Sequence, residues 1–140
     1  MLDIAKDKIQ DVQFTQGDGT ALPFDDCTFD IVSMGFGLRN IQNPEKAIEE
    51  VYRVLRPNGL FLHIDFGEKN WASRGFDSFL PIIIKFLSNN SYAYSYLIKS
   101  KQAFLTPSDL IKDFESKGFV FYKRKDFLFK VISCQIMRKI

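Results

Sequence analysis

Arg39 and Asn40 are the side chains best placed in this sequence to do chemistry on a ligand. They follow FDIVSMG (residues 29–35), in which both alternating sets of side chains are largely apolar. That pattern predicts a central strand of a parallel sheet, buried on both faces. Ligands of open α/β sheets bind in the loops after the carboxyl ends of the strands, so Arg39 and Asn40 form a candidate site. The alternative is a loop arginine on a solvated rim.

A second candidate is Asp18, which lies between Gly17 and Gly19 in a predicted loop. Residues 12–16 before it are predicted to form a short strand, so this carboxylate also follows the end of a strand. The alternative is an aspartate that caps its own turn, as is common in loops of this composition.

The predicted elements that position these residues follow the order of a doubly wound α/β sheet. Residues 1–9 have the spacing of the back half of a helix, and a second helix begins at Pro44 with Asn43 as its N-cap. We expect residues 57–59 to end this second helix and residues 60–66 to form the next buried strand. Its predicted buried stripe is Ala47, Ile48, Val51 and Leu55, with Arg53 and Arg56 in its last turns.

The second half of the chain is predicted to add a cap, a helix and two strands. Residues 70–102 are rich in Phe, Ile and Tyr, which favours one or two helices over the carboxyl edge of the sheet. Thr106 and Pro107 are typical of a helix start, and Gly118 of its end. Residues 119–122 and 127–136 are expected to form two antiparallel strands joined by residues 123–126.

Length, charge and cysteine content limit the classes of protein that fit the sequence. The 140 residues suit one domain, and 19 Lys+Arg against 17 Asp+Glu give a net charge of +2, which argues against nucleic acid as a partner. Two distant cysteines favour a reducing compartment, so we expect a cytoplasmic protein. No apolar run reaches the roughly 18–20 residues that a membrane span needs, so any membrane contact is expected to be peripheral. His63 is the only histidine, and no metal site is predicted around it.

Three motifs give the sequence a resemblance to a known family. GDGTALPF (residues 17–24), FDIVSMGFGLRN (29–40) and RVLRPNG (53–59) occur in this order and spacing, followed by YSYL (94–97) and a closing hairpin. The chain resembles the ubiquinone/menaquinone biosynthesis C-methyltransferases of the UbiE type, a branch of the class I S-adenosylmethionine-dependent methyltransferases. FGLRN in register with the other two motifs is the most specific part of the match.

The resemblance implies the fold, the cofactor and the site. It implies an α/β, Rossmann-like class I methyltransferase sheet that lacks its first two strands and ends in an antiparallel hairpin. S-adenosylmethionine is the implied cofactor, with Asp18 and Gly19 at its adenine and Gly35 at the strand end beside it. Arg39 and Asn40 are implied to lie beside the ring of a polyprenyl quinone-type substrate, where a guanidinium can stabilise a phenolate or orient a water.

The resemblance also implies a use for residues 70–102, which would line an apolar site for a polyprenyl tail. Ordinary core under a helical cap is the alternative for this segment. For Gly35 the alternative is a simple strand terminator.

The sequence departs from the family in ways that limit the prediction. The family's glycine-rich loop after its first strand is absent, as is the acid that holds the ribose of the cofactor. Residues 1–140 are therefore expected to form a single truncated methyltransferase domain that binds the cofactor poorly alone. It would be a fragment, a truncated reading frame or half of an assembly, which leaves a homo-oligomer open. Smaller departures are Asn58 for glycine, Asp65 for glutamate and Gly35 for serine.

Three functions stay open at this point. The first is a quinone C-methyltransferase, incomplete in this chain. The second is a non-catalytic remnant or partner subunit, and the third is a class I methyltransferase that acts on another small lipid or aromatic substrate.

Overall fold

The computed structural model describes residues 6, 9, 11–68, 75, 78 and 105–140. But for isolated positions, the helix predicted at residues 1–9 and the cap predicted at about residues 70–102 lie outside the described residues. None of the helices in the described part is long and apolar enough to cross a bilayer.

The described residues form a four-stranded mixed sheet. Its strands are β1 (Phe29–Gly35), β2 (Leu55–Phe66), β3 (Phe119–Phe127) and β4 (Ile132–Lys139). Their order in the sheet is β1–β2–β4–β3, with β1 parallel to β2 and β4 antiparallel to both of its neighbours. The predicted α/β class, with a closing antiparallel hairpin, is confirmed.

Two helices of the described part pack on the sheet, and both begin where the sequence predicts. Helix α1 (Pro44–Val54) starts at Asn43, whose side chain accepts a hydrogen bond from the backbone N–H of Lys46. Helix α2 (Pro107–Ser116) starts at Thr106, whose side chain accepts from the N–H of Asp109. Such caps satisfy backbone donors that the first turn of a helix leaves without a partner.

The core lies between these helices and one face of the sheet. Phe61 of β2 packs edge-to-face on Phe114 of α2, with ring centroids 5.3 Å apart. The alternation of β2 places Phe61, His63 and Asp65 on this buried face. The apolar members of the core are Leu38, Ala47, Ile48, Val51, Leu55, Phe61, Leu110, Phe114, Phe119 and Met137.

Strand β1 is buried on one face only, contrary to the prediction. Val32 and Met34 pack against the core, whereas the side chain of Ile31 on the other face is 59% exposed. In the part of the chain that the structure describes, β1 has a strand beside it on the β2 side alone. Its apolar sequence on both faces is that of an interior strand, and the described sheet places it at an edge.

The strand predicted at residues 12–16 is also wrong. These residues are in no helix or strand, and Val12 is 56% exposed. A strand requires a neighbour for its backbone N–H and C=O groups, and the described residues place none beside this segment.

Helix α1 ends earlier than predicted. Leu55 is buried as expected but is extended, with φ −75° and ψ 140°, and it is the first residue of β2. Arg56 lies in β2 rather than in the last turn of α1, and it pairs with Asp30 of β1. Asn58 has φ 66°, which agrees with the expectation that asparagine here replaces a left-handed glycine.

The turn between β3 and β4 lies at residues 128–131, not at the predicted residues 123–126. The charged run Lys123–Asp126 resembles a turn, but it belongs to β3, which is an edge strand where charged side chains face solvent. Strand β4 accordingly starts at Ile132.

Candidate functional site

Arg39 lies where β1 reaches the carboxyl edge of the sheet. After Gly35 the chain enters a 3-10 turn, Leu38–Asn40, which is anchored by the buried side chain of Leu38. The guanidinium of Arg39 forms an ion pair with the carboxylate of Asp65, which lies at the carboxyl end of β2. Only 5% of the Arg39 side chain and 1% of the Asp65 side chain are exposed, so water hardly screens this pair.

Two aromatic rings enclose the guanidinium. Its central carbon lies 4.9 Å from the ring centroid of Phe66 and 5.5 Å from that of Phe36. Within the described residues, Nε of Arg39 and Oδ2 of Asp65 have no hydrogen-bond partner. The pair is therefore a buried cation beside a carboxylate, in which one N–H and one oxygen have no partner among the described residues.

Asn40 faces a different space from Arg39. Its side-chain amide donates to the carbonyl of Phe36 at 3.1 Å, which fixes the bend after β1. Asn40 also lines a cleft of about 520 Å³, whereas Arg39 is not among the lining residues. The structure thus separates the two members of the predicted pair, one toward Asp65 and one toward the cleft.

The same cleft brings Asp18 and Gly19 to Asn40. Oδ1 of Asp18 accepts hydrogen bonds from the N–H of Thr20 at 2.8 Å and from its hydroxyl at 2.9 Å. These bonds lower the pKa of Asp18, so its exposed carboxylate stays ionised at neutral pH. Asp18 thus caps its own turn, which was the alternative considered from the sequence, and it also lines the cleft.

Gly35 ends β1 on the exposed side of the sheet. It pairs with Ile64 of β2, and a Cβ added to it would meet nothing within 4 Å. The strand end is thus uncrowded, and a role of Gly35 in cofactor binding stays a prediction.

Glu50 and Arg53 of α1 hold the loop that follows Asp18, a role that the sequence analysis missed. The N–H of Leu22 donates to Glu50 at 2.8 Å, and the Arg53 guanidinium donates to the carbonyl of Phe24 at 2.8 Å. Arg53 also donates to Glu50 at 2.8 Å, and this bond lowers the pKa of Glu50 to about 2. The signal was the three-residue spacing of opposite charges on one helix.

A buried polar chain extends behind Asp65. Nδ1 of His63 lies 2.8 Å from Oε1 of Gln135, whose amide donates to the hydroxyl of Ser133 at 2.9 Å. Burial lowers the pKa of His63, so the ring is neutral at pH 7. His63 packs against Phe114 at 5.4 Å, and no metal-binding group of His, Cys, Asp and Glu occurs among the described residues.

Asp65 is the functional candidate that sequence reasoning did not select. It appeared there only as a departure from the glutamate of the family. The available signal was its position, because an acid at the end of β2 and an arginine after the end of β1 share one edge of a parallel pair.

The chain is similar in sequence to curated methyltransferases. A ubiquinone/menaquinone biosynthesis C-methyltransferase of Campylobacter jejuni is 33% identical over 147 residues, which cover 100% of this chain and 63% of the relative. A demethylmenaquinone methyltransferase of Clavibacter sepedonicus is 38% identical over 114 residues, covering 77% of this chain and 46% of the relative. The chain therefore spans less than two thirds of the length of the curated relatives it matches.

The fold agrees as well. A SAM-dependent methyltransferase of Thermotoga maritima aligns with a TM-score of 0.76 at 21% identity, covering 100% of this chain and 69% of that one. Another, of Aquifex aeolicus, aligns with a TM-score of 0.64 at 14% identity, covering 99% and 60%. The ubiE/COQ5 methyltransferase family matches residues 1–139, and the chain belongs to that family.

Proposed function

We propose that this chain carries the substrate-facing part of an S-adenosylmethionine-dependent C-methyltransferase of quinone biosynthesis. The observation that supports it most is the pair of Arg39 and Asp65, a buried cation held beside two phenylalanine rings at the carboxyl edge of the sheet. The names of the relatives from C. jejuni and C. sepedonicus point to a demethylmenaquinone or polyprenyl-benzoquinol ring as the substrate class.

The residues present fit the adenine end of S-adenosylmethionine. The cleft of about 520 Å³ has a volume suited to a small molecule. The ionised Asp18 would accept a hydrogen bond from the adenine amine, and the backbone N–H of Gly19 would donate one to a ring nitrogen. The open end of β1 at Gly35 leaves room for the rest of the cofactor. The chain holds no glycine-rich loop and no ribose-binding acid of the family kind, so further residues must complete the site.

When bound, S-adenosylmethionine supplies an electrophilic methyl group. The role of this chain would be to raise the electron density at the ring carbon that attacks the methyl group. A guanidinium does not act as a base, so Arg39 would stabilise the phenolate by its positive charge. Asp65 would hold the guanidinium in place, and the proton that leaves the ring would pass to water.

Asn40 has a positioning role in this proposal. Its amide fixes the bend after β1 through the carbonyl of Phe36, and it lines the same cleft as Asp18. Alignment of the methyl donor with the ring carbon accounts for a large part of catalysis in such transfers, so a rigid bend favours the reaction.

A non-catalytic remnant or partner subunit is the second candidate. Two observations favour it: the apolar side chain of Ile31 is 59% exposed at the β1 edge, and Oδ1 of Asp18 is already occupied by Thr20. A chain that only pairs with another protein would use the β1 edge and need no adenine contact.

Calorimetric titration with S-adenosylmethionine tests the proposal. It compares the 140-residue chain with a chimera that supplies the glycine-rich loop and first two strands of the C. jejuni relative. We expect binding by the chimera alone, weakened roughly tenfold or more by Asp18→Ala and unchanged by Asp25→Ala, an exposed acid in the same loop region. Micromolar binding by the short chain would show that the site is complete, and a folded chimera that does not bind would favour the remnant.

A further inference from the structure

The β3–β4 hairpin ends in an exposed apolar turn, which we call the hairpin tip (residues 127–130). Phe127 is 50% exposed, Leu128 is 65% exposed and Phe129 is 80% exposed. Three large apolar side chains in a row at the end of a hairpin form a patch that water solvates poorly. Such patches commonly mark a surface that binds a partner.

The backbone of the tip is left-handed although it contains no glycine. Leu128, Phe129 and Lys130 have φ values of 48°, 53° and 68°. Glycine and asparagine adopt this conformation at the least cost, whereas bulky side chains are strained in it. The tip therefore keeps apolar side chains where local conformational preference favours others, which indicates a use for them.

The base of the tip is fixed to the end of β2. The N–H of Gly67 donates to the carbonyl of Val131 at 2.8 Å, and Val131 is only 5% exposed. A Cβ at Gly67 would lie 2.0 Å from the carbonyl oxygen of Lys130, so only glycine permits this contact. The apolar tip is thus presented in a defined position.

One lysine lies in the tip and two lie before it in β3. Lys123, Lys125 and Lys130 are exposed, and none of them forms an ion pair with a described residue. Arg124, by contrast, is neutralised by Glu68 and Asp126 at 2.9 Å and 2.8 Å. The hairpin therefore combines an apolar end with three lysines that form no ion pair with a described residue.

The tip and Arg39 lie at the same edge of the sheet. Ile132, just after the tip, pairs with Phe66, and the ring of Phe66 packs on Phe36 at 5.5 Å and under the guanidinium of Arg39. A surface that receives the tip would consequently lie next to the site proposed for the quinone ring.

We propose that the hairpin tip docks this protein on an anionic lipid surface. Phe127, Leu128 and Phe129 enter the interfacial layer, and the three lysines bind lipid phosphates. The positive charges favour lipid over a second copy of this chain, which would bring the same lysines together. Docking orients the Arg39 edge toward the bilayer that dissolves a prenylated substrate, and this last step alone rests on the proposed function.

Vesicle co-sedimentation of the 140-residue chain tests the docking without cofactor or substrate. Phosphatidylcholine vesicles are compared with vesicles that also contain phosphatidylglycerol. We expect binding to the anionic vesicles, reduced about tenfold by the double change Leu128→Ser and Phe129→Ser, because the apolar contact is lost. Val120 is 43% exposed and lies at the end of β3 that is far from the tip. Val120→Ser is therefore the matched control and should leave binding unchanged.

The lysines are tested separately by Lys125→Glu with Lys130→Glu. This change is expected to reduce binding to anionic vesicles roughly tenfold or more and to leave the weak binding to neutral vesicles unaltered. Circular dichroism confirms that each variant is folded. Equal binding of wild type and tip variant would overturn the proposal, as would a tip variant that changes only the oligomeric state in sedimentation.

Failure of the docking can be told apart from failure of the methyltransferase proposal. In the chimera, tip variants should slow transfer to a vesicle-embedded prenylated quinol and leave transfer to a short-tailed, water-soluble quinol unchanged. Loss of both rates would place the tip in the site itself and contradict docking. Vesicle binding without methyl transfer would leave the docking intact and contradict only the enzyme.

Discussion

Arg39 and Asp65 form a buried ion pair that ties the end of β1 to the end of β2. Their side chains are 5% and 1% exposed, whereas those of a second pair, Arg56 of β2 and Asp30 of β1, are 51% and 76% exposed. The two pairs lie at opposite ends of the same strands. The exposed pair can therefore serve as a control for experiments on the buried pair.

Asp65→Asn should destabilise the fold strongly, because it leaves the Arg39 charge buried without a counter-charge. We expect the free energy of unfolding to fall by about 3 kcal/mol. Asp30→Asn at the exposed pair should change it by less than about 1 kcal/mol. Urea denaturation of the two variants gives both numbers, and equal losses would contradict the assigned burial.

Glu50→Gln should loosen the loop of residues 22–26, since Glu50 accepts from both Leu22 and Arg53. The expected loss at pH 7 is about 1 kcal/mol. The pKa of Glu50 is about 2 in the folded chain and ordinarily 4.5. Its contribution is therefore complete above pH 4.5 and is lost as the pH falls toward 2.

The test is urea denaturation at a series of pH values, with Glu115→Gln as control because Glu115 is exposed in α2. The stability gap between wild type and Glu50→Gln should close as the solution is acidified. A gap that stays constant with pH would mean that the ionised carboxylate is not what holds the loop.

His63 should make the protein sensitive to mild acid. Burial lowers its pKa, while Asp65 and Arg39 act on it in opposite directions. The unfolded chain then binds a proton below about pH 6.5 that the folded chain does not, so stability falls as the pH falls. The slope between about pH 5 and 6.5 should approach 1.4 kcal/mol per pH unit and be lost in His63→Gln. An identical slope in that variant would assign the effect to other groups.

Lys139→Met should destabilise the end of α1. The Lys139 ammonium, which is 9% exposed, donates to the carbonyls of Tyr52 at 2.7 Å and Leu55 at 2.8 Å. Without the ammonium these two carbonyls have no donor, so the free energy of unfolding should fall by about 2 kcal/mol. That corresponds to a fall of roughly 5–10 °C in Tm. Lys112 is an exposed residue of α2, and Lys112→Met should leave Tm nearly unchanged. An equal fall in Tm in this control would mean that the loss of a positive charge, not of these hydrogen bonds, causes the destabilisation.

Elements with local signals were predictable from the sequence. Helix α1 has its cap at Asn43, its proline at Pro44 and its buried stripe within a few residues, so no distant contact is needed to recognise it. The same holds for Thr106 at the start of α2 and Gly118, with φ 95°, after its end.

Features that depend on neighbours in space were not predictable. The partner of Arg39 is 26 residues away along the chain, and only the alignment of two strand ends brings Asp65 to it. Residues 12–16 have the sequence of a strand but no described strand beside them. The hairpin turn was misplaced because its left-handed residues are Leu128, Phe129 and Lys130 rather than the glycine or asparagine that usually mark such turns.

The role of Arg39 in methyl transfer is tested most directly by the chimera with labelled S-adenosylmethionine and demethylmenaquinol. We expect a labelled, methylated ring from the wild type, and a fall in kcat of about 100-fold in Arg39→Lys with unchanged affinity for S-adenosylmethionine. Arg56→Lys, at the exposed pair, should retain the wild-type rate. Full activity in Arg39→Lys, or a chimera that binds S-adenosylmethionine and methylates no quinol ring, would contradict the proposed function.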